Sequence, residues 1–130
     1  MKGSPDVLVD TSAWIDFFRK KEPAYSCIDR LLDEGNICCL GIILAELLQG
    51  AKSEKELEVL RDFLLVFDFL PDDMSLWQKA GELSYSLRRA GKTVGLSDCY
   101  IAVSAQTHHV KILSFDRHFK LIDKKRLLKL

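Results

Sequence analysis

The stretch Val7-Leu8-Val9-Asp10-Thr11-Ser12-Ala13-Trp14-Ile15-Asp16-Phe17-Phe18 sets the reading of this chain. Three consecutive branched apolar residues form a run too short for a helix and suited to a strand buried on both faces. Asp10-Thr11-Ser12 then supplies capping side chains, and Ala13, Trp14, Phe17 and Phe18 recur at helical spacing. Strand followed directly by helix is the unit of a parallel α/β sheet, and it sets Asp10 at the strand's carboxyl end.

The pattern repeats along the chain. Pro23 breaks the first helix, and a second carries Tyr25, Ile28, Leu31 and Leu32 on one face, with Gly35 as its C-cap. Ile37 to Leu40 reads as a strand, Ile42 to Leu48 as a helix ending near Gly50, and Glu54 to Leu65 as another helix. Val66 to Leu70 reads as a short strand closed by Pro71. Asp72 or Asp73 can cap the amphipathic helix that carries Leu76, Trp77, Ala80, Leu83, Ser84 and Leu87 to Gly91. After the loop Lys92 to Gly95, Ser97 is expected to cap a helix that is apolar on most sides through Ala105, with Asp98 in its first turn. Lys111 to Ser114 reads as the last strand, and a short helix or strand ends the chain. The expected fold is α/β, one domain over residues 1–130, with a parallel central sheet and helices on both faces.

At 130 residues the chain is long enough to bury roughly two thirds of its unfolded surface without disulfides or a structural metal. Cys27, Cys38, Cys39 and Cys99 show no metal-like spacing and sit among aliphatic neighbours, so buried free thiols are expected. No apolar run approaches the ~20 residues of a membrane span, and the opening residues lack the core of a signal peptide. A cytoplasmic protein is the expectation. Nineteen basic residues balance nineteen acidic ones, which argues against coating nucleic acid by bulk charge. The balance is uneven along the chain. Residues 117–130 hold six Lys or Arg and one acid, so a local basic strip including Arg117, Lys120, Lys124 and Lys125 could hold a phosphate backbone.

Four acids lie inside or beside apolar runs. Asp10 closes Val7 to Val9, Glu46 interrupts Ile42 to Leu48, Asp98 opens Cys99 to Val103, and Asp116 follows Ile112 to Phe115. Ionised carboxylates are rarely buried without a partner or a metal. Each has a plain structural alternative. Asp10 and Asp116 could be ordinary caps, Asp98 a first-turn acid worth ~0.3–1 kcal/mol against the helix dipole, and Glu46 half of a buried ion pair. Together they read as one site. Carboxylates within ~4 Å repel by about 4 kcal/mol per pair at an effective dielectric of 20, and Mg²⁺ or Mn²⁺ relieves that repulsion while leaving room for a phosphate. Two such ions can activate a water and stabilise the leaving oxygen of an in-line phosphodiester displacement. The hydroxyls of Ser12 and Ser114 are candidates to orient the carboxylates, with Thr11 and Ser97 as caps. His108, His109 and His118 have no zinc-like arrangement with cysteine. Trp14, Phe17, Phe18, Trp77 and Tyr100 fit core or interface positions better than stacking platforms.

Four stretches, Val7 to Arg19, Leu44 to Gly50, Leu96 to Ala102 and Leu113 to Phe119, closely resemble in order the motifs of PIN-domain ribonucleases. The likeness is strongest to the toxin component of VapBC toxin–antitoxin pairs. The resemblance implies that Asp10, Glu46, Asp98 and Asp116 form the catalytic metal site, with Asp10 and Asp98 the firmest ligands and Ser12 supporting the first. The family often has Thr where this chain has Ser114. It further implies Mg²⁺- or Mn²⁺-dependent cleavage of RNA, homodimers, and inhibition by a small cognate antitoxin. Two rivals remain. A phosphoryl-transfer enzyme would want an acid two residues after Asp10 or ending the strand near Leu40, where this chain has Ser12 and Gly41. A non-catalytic PIN-like binding module would not need the intact acid set.

Overall fold

The run Val7–Val9 forms β1, and all three residues are buried. In this computed structural model, which describes residues 6–123 and 127–128, β1 pairs in parallel with a strand on either side. The chain continues through α1 (Thr11–Phe18), α2 (Ala24–Glu34), β2 (Ile37–Cys39), α3 (Gly41–Gln49) and α4 (Glu54–Leu64). It then forms β3 (Asp68–Phe69), α5 (Met74–Arg89), α6 (Leu96–His108), β4 (Lys111–Leu113) and α7 (His118–Asp123). The sheet order is β3-β2-β1-β4, all parallel. Val7 faces Ile37 on one side and Lys111 on the other, so the register is fixed from the first residue of β1.

Strand burial explains why helices must cover both sides. β1 and β2 are buried at every position, as expected of a parallel sheet with no solvated face. α6 supplies the most apolar cover, with every residue from Cys99 to Ala105 buried. α1 turns Trp14 into the core at 0% exposure, where its ring meets Phe17, Phe18, Phe63 and Phe67. Stacked Trp77 and Tyr100 join α5 to α6. Trp14 and Tyr100 are core, Phe17 and Trp77 pack partly buried against it, and Phe18 stays 38% exposed at the surface. All four cysteines are buried and free.

Some boundaries depart from the sequence expectation. β3 is two residues, not the five from Val66 to Leu70, because Val66 faces solvent at 75% exposure and gives that end nothing to pack on. Ser97 does not cap α6: the helix starts at Leu96 behind an extended Gly95, so Ser97 already lies inside the first turn. Asp73 caps α5 by accepting from the Ser75 N–H at 2.8 Å. Asp72 instead accepts from the Tyr100 hydroxyl and the Trp77 indole N–H. Gly35 ends α2 at φ 71°, a left-handed value that glycine adopts without strain. Among the described residues near the chain's end, His118–Asp123 is helical and Leu127 makes a single parallel bridge to Ile112. No helix among the described residues is long and apolar enough to cross a membrane.

This topology decides where a site can lie. From β1 the chain steps outward to β2 and β3, then crosses back to place β4 on the other side of β1. Such a reversal leaves a crevice beyond the carboxyl ends of the strands where connections diverge. Asp10 follows β1 directly, and Asp116 lies three residues beyond β4.

Candidate metal centre

Asp10 caps α1 and is 3% exposed. Its Oδ1 accepts the Ala13 N–H at 2.8 Å, the Ser12 hydroxyl lies 3.0 and 3.1 Å from its two oxygens, and the Ser114 hydroxyl donates to Oδ2 at 2.5 Å. Even with three donors, burial pushes the carboxyl up to about 6; the hydrogen bonds from Ser114, Ala13 and Ser12 oppose that rise, and the charge of Asp116 adds to it. A carboxylate kept this dry is poised to gain from a nearby cation.

Ser114 links the first acid to the fourth. Its oxygen also accepts the Asp116 N–H at 3.0 Å, so one side chain holds Asp10 and shapes the turn that presents Asp116. Both serines put forward as supporting groups therefore touch Asp10. Thr11 does more than follow a cap: its hydroxyl donates to Glu46 Oε1 at 2.6 Å, tying α3 to the start of α1. Glu46 is half-buried and takes this partner rather than a buried arginine.

Asp98 lies in the first turn of α6. Burial raises its carboxyl above the ordinary range; His118 lowers it again, while the charges of Asp116 and Glu46 raise it. Asp116 thus acts on both Asp10 and Asp98, and Glu46 acts on Asp98, so the four acids share one electrostatic environment. They come from four separate segments.

The tightest grouping includes a residue that the acid pattern does not contain. His118 Nδ1 lies 3.3 Å from Asp98 Oδ2 and 3.4 Å from Asp116 Oδ1. Donor atoms of Asp98, Asp116 and His118 all fall within 4.8 Å of one another, which suits a divalent cation. Asp10 and Glu46 stand outside that trio, each held by hydroxyls. The spacing Asp116-Arg117-His118, with His118 two residues after the acid and first in α7, is the available signal for His118. Arg117 and Lys120 are exposed beside the site, and Lys124 and Lys125 lie outside the described residues.

A parallel α/β fold with acids gathered at its switch point defines a class of proteins suited to hold a divalent cation and a phosphate group there. The PIN domain family model matches residues 7–125. The VapC ribonuclease Mb1587 of Mycobacterium bovis is 32% identical over 121 residues, covering 89% of this chain and 90% of that protein. The tRNA(fMet)-specific endonuclease VapC of Shigella flexneri is 31% identical over 82% of this chain and 83% of its own length. Among solved structures, DNA-bound VapBC from Salmonella typhimurium superposes with a TM-score of 0.76 at 26% identity, covering 96% of this chain and 98% of that one. The chain belongs to the PIN-domain family, within the branch of the VapC ribonucleases.

Proposed function

We propose that this protein is a metal-dependent endoribonuclease and the toxin of a type II toxin–antitoxin pair. Its family supports the ribonuclease reading. The observation that carries the rest is the grouping of Asp98, Asp116 and His118 within 4.8 Å, with Asp10 tied to Asp116 through Ser114. Asp98 and Asp116 present oxygens for Mg²⁺ or Mn²⁺, and Asp10 and Glu46 complete the anionic wall. Ser12 and Ser114 hold Asp10 in one orientation, and Thr11 does the same for Glu46. A divalent cation held by these residues would supply an activated water and neutralise charge developing on the phosphate. The exposed Arg117 and Lys120 supply cations for the neighbouring backbone phosphates. The decisive trial is incubation of purified protein with structured RNAs and Mg²⁺ or Mn²⁺ beside an Asp98→Asn control, with cleavage sites mapped. Cleavage lost in the variant and in EDTA supports the reading. Equal cleavage by both proteins would remove it.

A partner site accompanies the metal centre. An open groove of about 400 Å³ runs between α1, α3 and α4, lined by Ile15, Phe18, Leu47, Val59 and Leu60, and Glu46 also lines it. Ile15, Phe18 and Val59 are partly exposed there, which suits the apolar face of a partner helix. We assign the groove to a small cognate antitoxin. An arginine on that partner could reach the acids and take, through bidentate charge-assisted bonds, the oxygens a cation requires. Changing that arginine to Ala should weaken inhibition, and excess Mn²⁺ should partly reverse inhibition by the unaltered partner. A homodimer acting in the cytoplasm completes the proposal, and sedimentation of the free protein tests the dimer.

A further inference from the structure

His118 opens α7, and its backbone N–H donates to Asp116 Oδ1 at 2.9 Å. The next residue, Phe119, is 1% exposed and anchors α7 in the core. The imidazole is thereby mounted on a fixed element, with Nδ1 between Asp98 and Asp116 at 3.3 and 3.4 Å. The contact to Asp98 is a long hydrogen bond, and that to Asp116 is longer still. A single Nδ1–H could only be shared between the two carboxylates, and both distances exceed the ~2.7–3.2 Å common for N–H···O bonds. Donors around an octahedral ion at ~2.1 Å stand about 3 Å apart when adjacent and about 4 Å apart when opposite. The Asp98–Asp116–His118 trio, all within 4.8 Å, needs only small side-chain movements to meet that spacing.

We infer that His118 Nδ1 is a direct ligand of the divalent cation and shifts the site's preference from Mg²⁺ toward Mn²⁺. This rests on the metal-centre reading above. Mg²⁺ is a hard ion satisfied by carboxylate and water oxygens, whereas an imidazole nitrogen adds most to the binding of first-row transition ions. The ring also adds a donor without a fifth negative charge beside Asp10, Glu46, Asp98 and Asp116. Its Nε2–H tautomer leaves the Nδ1 lone pair free for the ion.

The experiment uses the full chain without RNA, so that its readout is independent of cleavage. Mn²⁺-loaded wild type is examined by pulsed electron paramagnetic resonance for ¹⁴N coupling from a bound imidazole, beside His118→Asn and His118→Leu. Mg²⁺ and Mn²⁺ affinities of all three are measured calorimetrically, and melting in EDTA verifies that the variants fold. The expected result is ¹⁴N coupling in wild type and none in either variant. Mn²⁺ affinity should fall by roughly tenfold or more and Mg²⁺ affinity by much less, following the donor preferences of the two ions. His108 and His109 sit at the opposite end of α6 from Asp98, roughly 15 Å away along the helix, and cannot substitute. Mn²⁺ binding without ¹⁴N coupling, coupling that persists in the variants, or equal losses for both ions would overturn the assignment of His118 alone. Failure of wild type to bind either ion would overturn the metal centre itself.

Discussion

Replacing Asp10 with Asn should stabilise the metal-free protein at neutral pH and lose that advantage in acid. The buried Asp10 carboxyl is pushed up to about 6 from an ordinary 3.8. An acid whose folded value is raised binds its proton more tightly in the folded state than in the unfolded chain. Its favourable contribution is therefore complete below about pH 4 and is lost as pH rises through about 6. A difference of about two pH units corresponds to roughly 3 kcal/mol of destabilisation by the ionised side chain at pH 8. Asparagine removes the charge but can accept only through one oxygen, and its amide would face Ser114, whose oxygen already accepts the Asp116 N–H. That mismatch costs about 1 kcal/mol. A net gain of roughly 1–2 kcal/mol at pH 8 remains, falling to zero or below near pH 4. Urea denaturation of both proteins in EDTA at pH 4.5, 6 and 8 measures it, and taking the difference between them cancels acids that titrate alike in both. Parallel stability curves across that range would show that Asp10 is not held dry, and the reasoning would fail.

Mn²⁺ at millimolar concentration should raise the melting temperature relative to EDTA, because an ion bound only by the folded acids stabilises by mass action, and the effect should shrink as pH falls. Equal melting in both conditions at neutral pH would count against a metal centre. Ser114→Ala removes the shortest donor to Asp10 and the acceptor of the Asp116 N–H, so stability in EDTA should fall by about 1–2 kcal/mol. It should also raise the Asp10 carboxyl further, visible in a ¹³C carboxyl titration; an unmoved titration would refute the link. Trp14→Ala empties the aromatic cluster around a fully buried ring and should cost roughly 3–5 kcal/mol in urea unfolding, a loss below about 1 contradicting its place in the core.

What could be read from the residues was local. A three-residue apolar run, an acid and then a helical repeat placed Asp10 at the end of β1, and Asp98 followed from its position at the head of an apolar helix. Gly35 announced the end of α2 through its backbone freedom. What escaped was decided over distance. Thr11 and Glu46 are 35 residues apart and meet only once α3 packs beside α1. His118 reaches Asp98 only because Phe119 anchors α7 against the core, and no periodicity joins the two positions. Ser97 misled for a local reason: serine caps helices often, but Gly95 offered an extended start one residue before Leu96. β3 is shorter than its apolar run suggests because such a run forms a strand only where something covers it, and Val66 faces solvent.

If these acids direct a water at phosphorus, the ribose 2′-hydroxyl has no part in cleaving the RNA. The most direct measurement maps a cleaved site, resynthesises that RNA with a single 2′-deoxy residue on the 5′ side of the scissile bond, and analyses the product ends. Cleavage should continue in Mn²⁺, leaving 5′-phosphate and 3′-hydroxyl termini. Cleavage abolished by the single deoxy substitution, with 2′,3′-cyclic phosphate ends from the unmodified RNA, would contradict it.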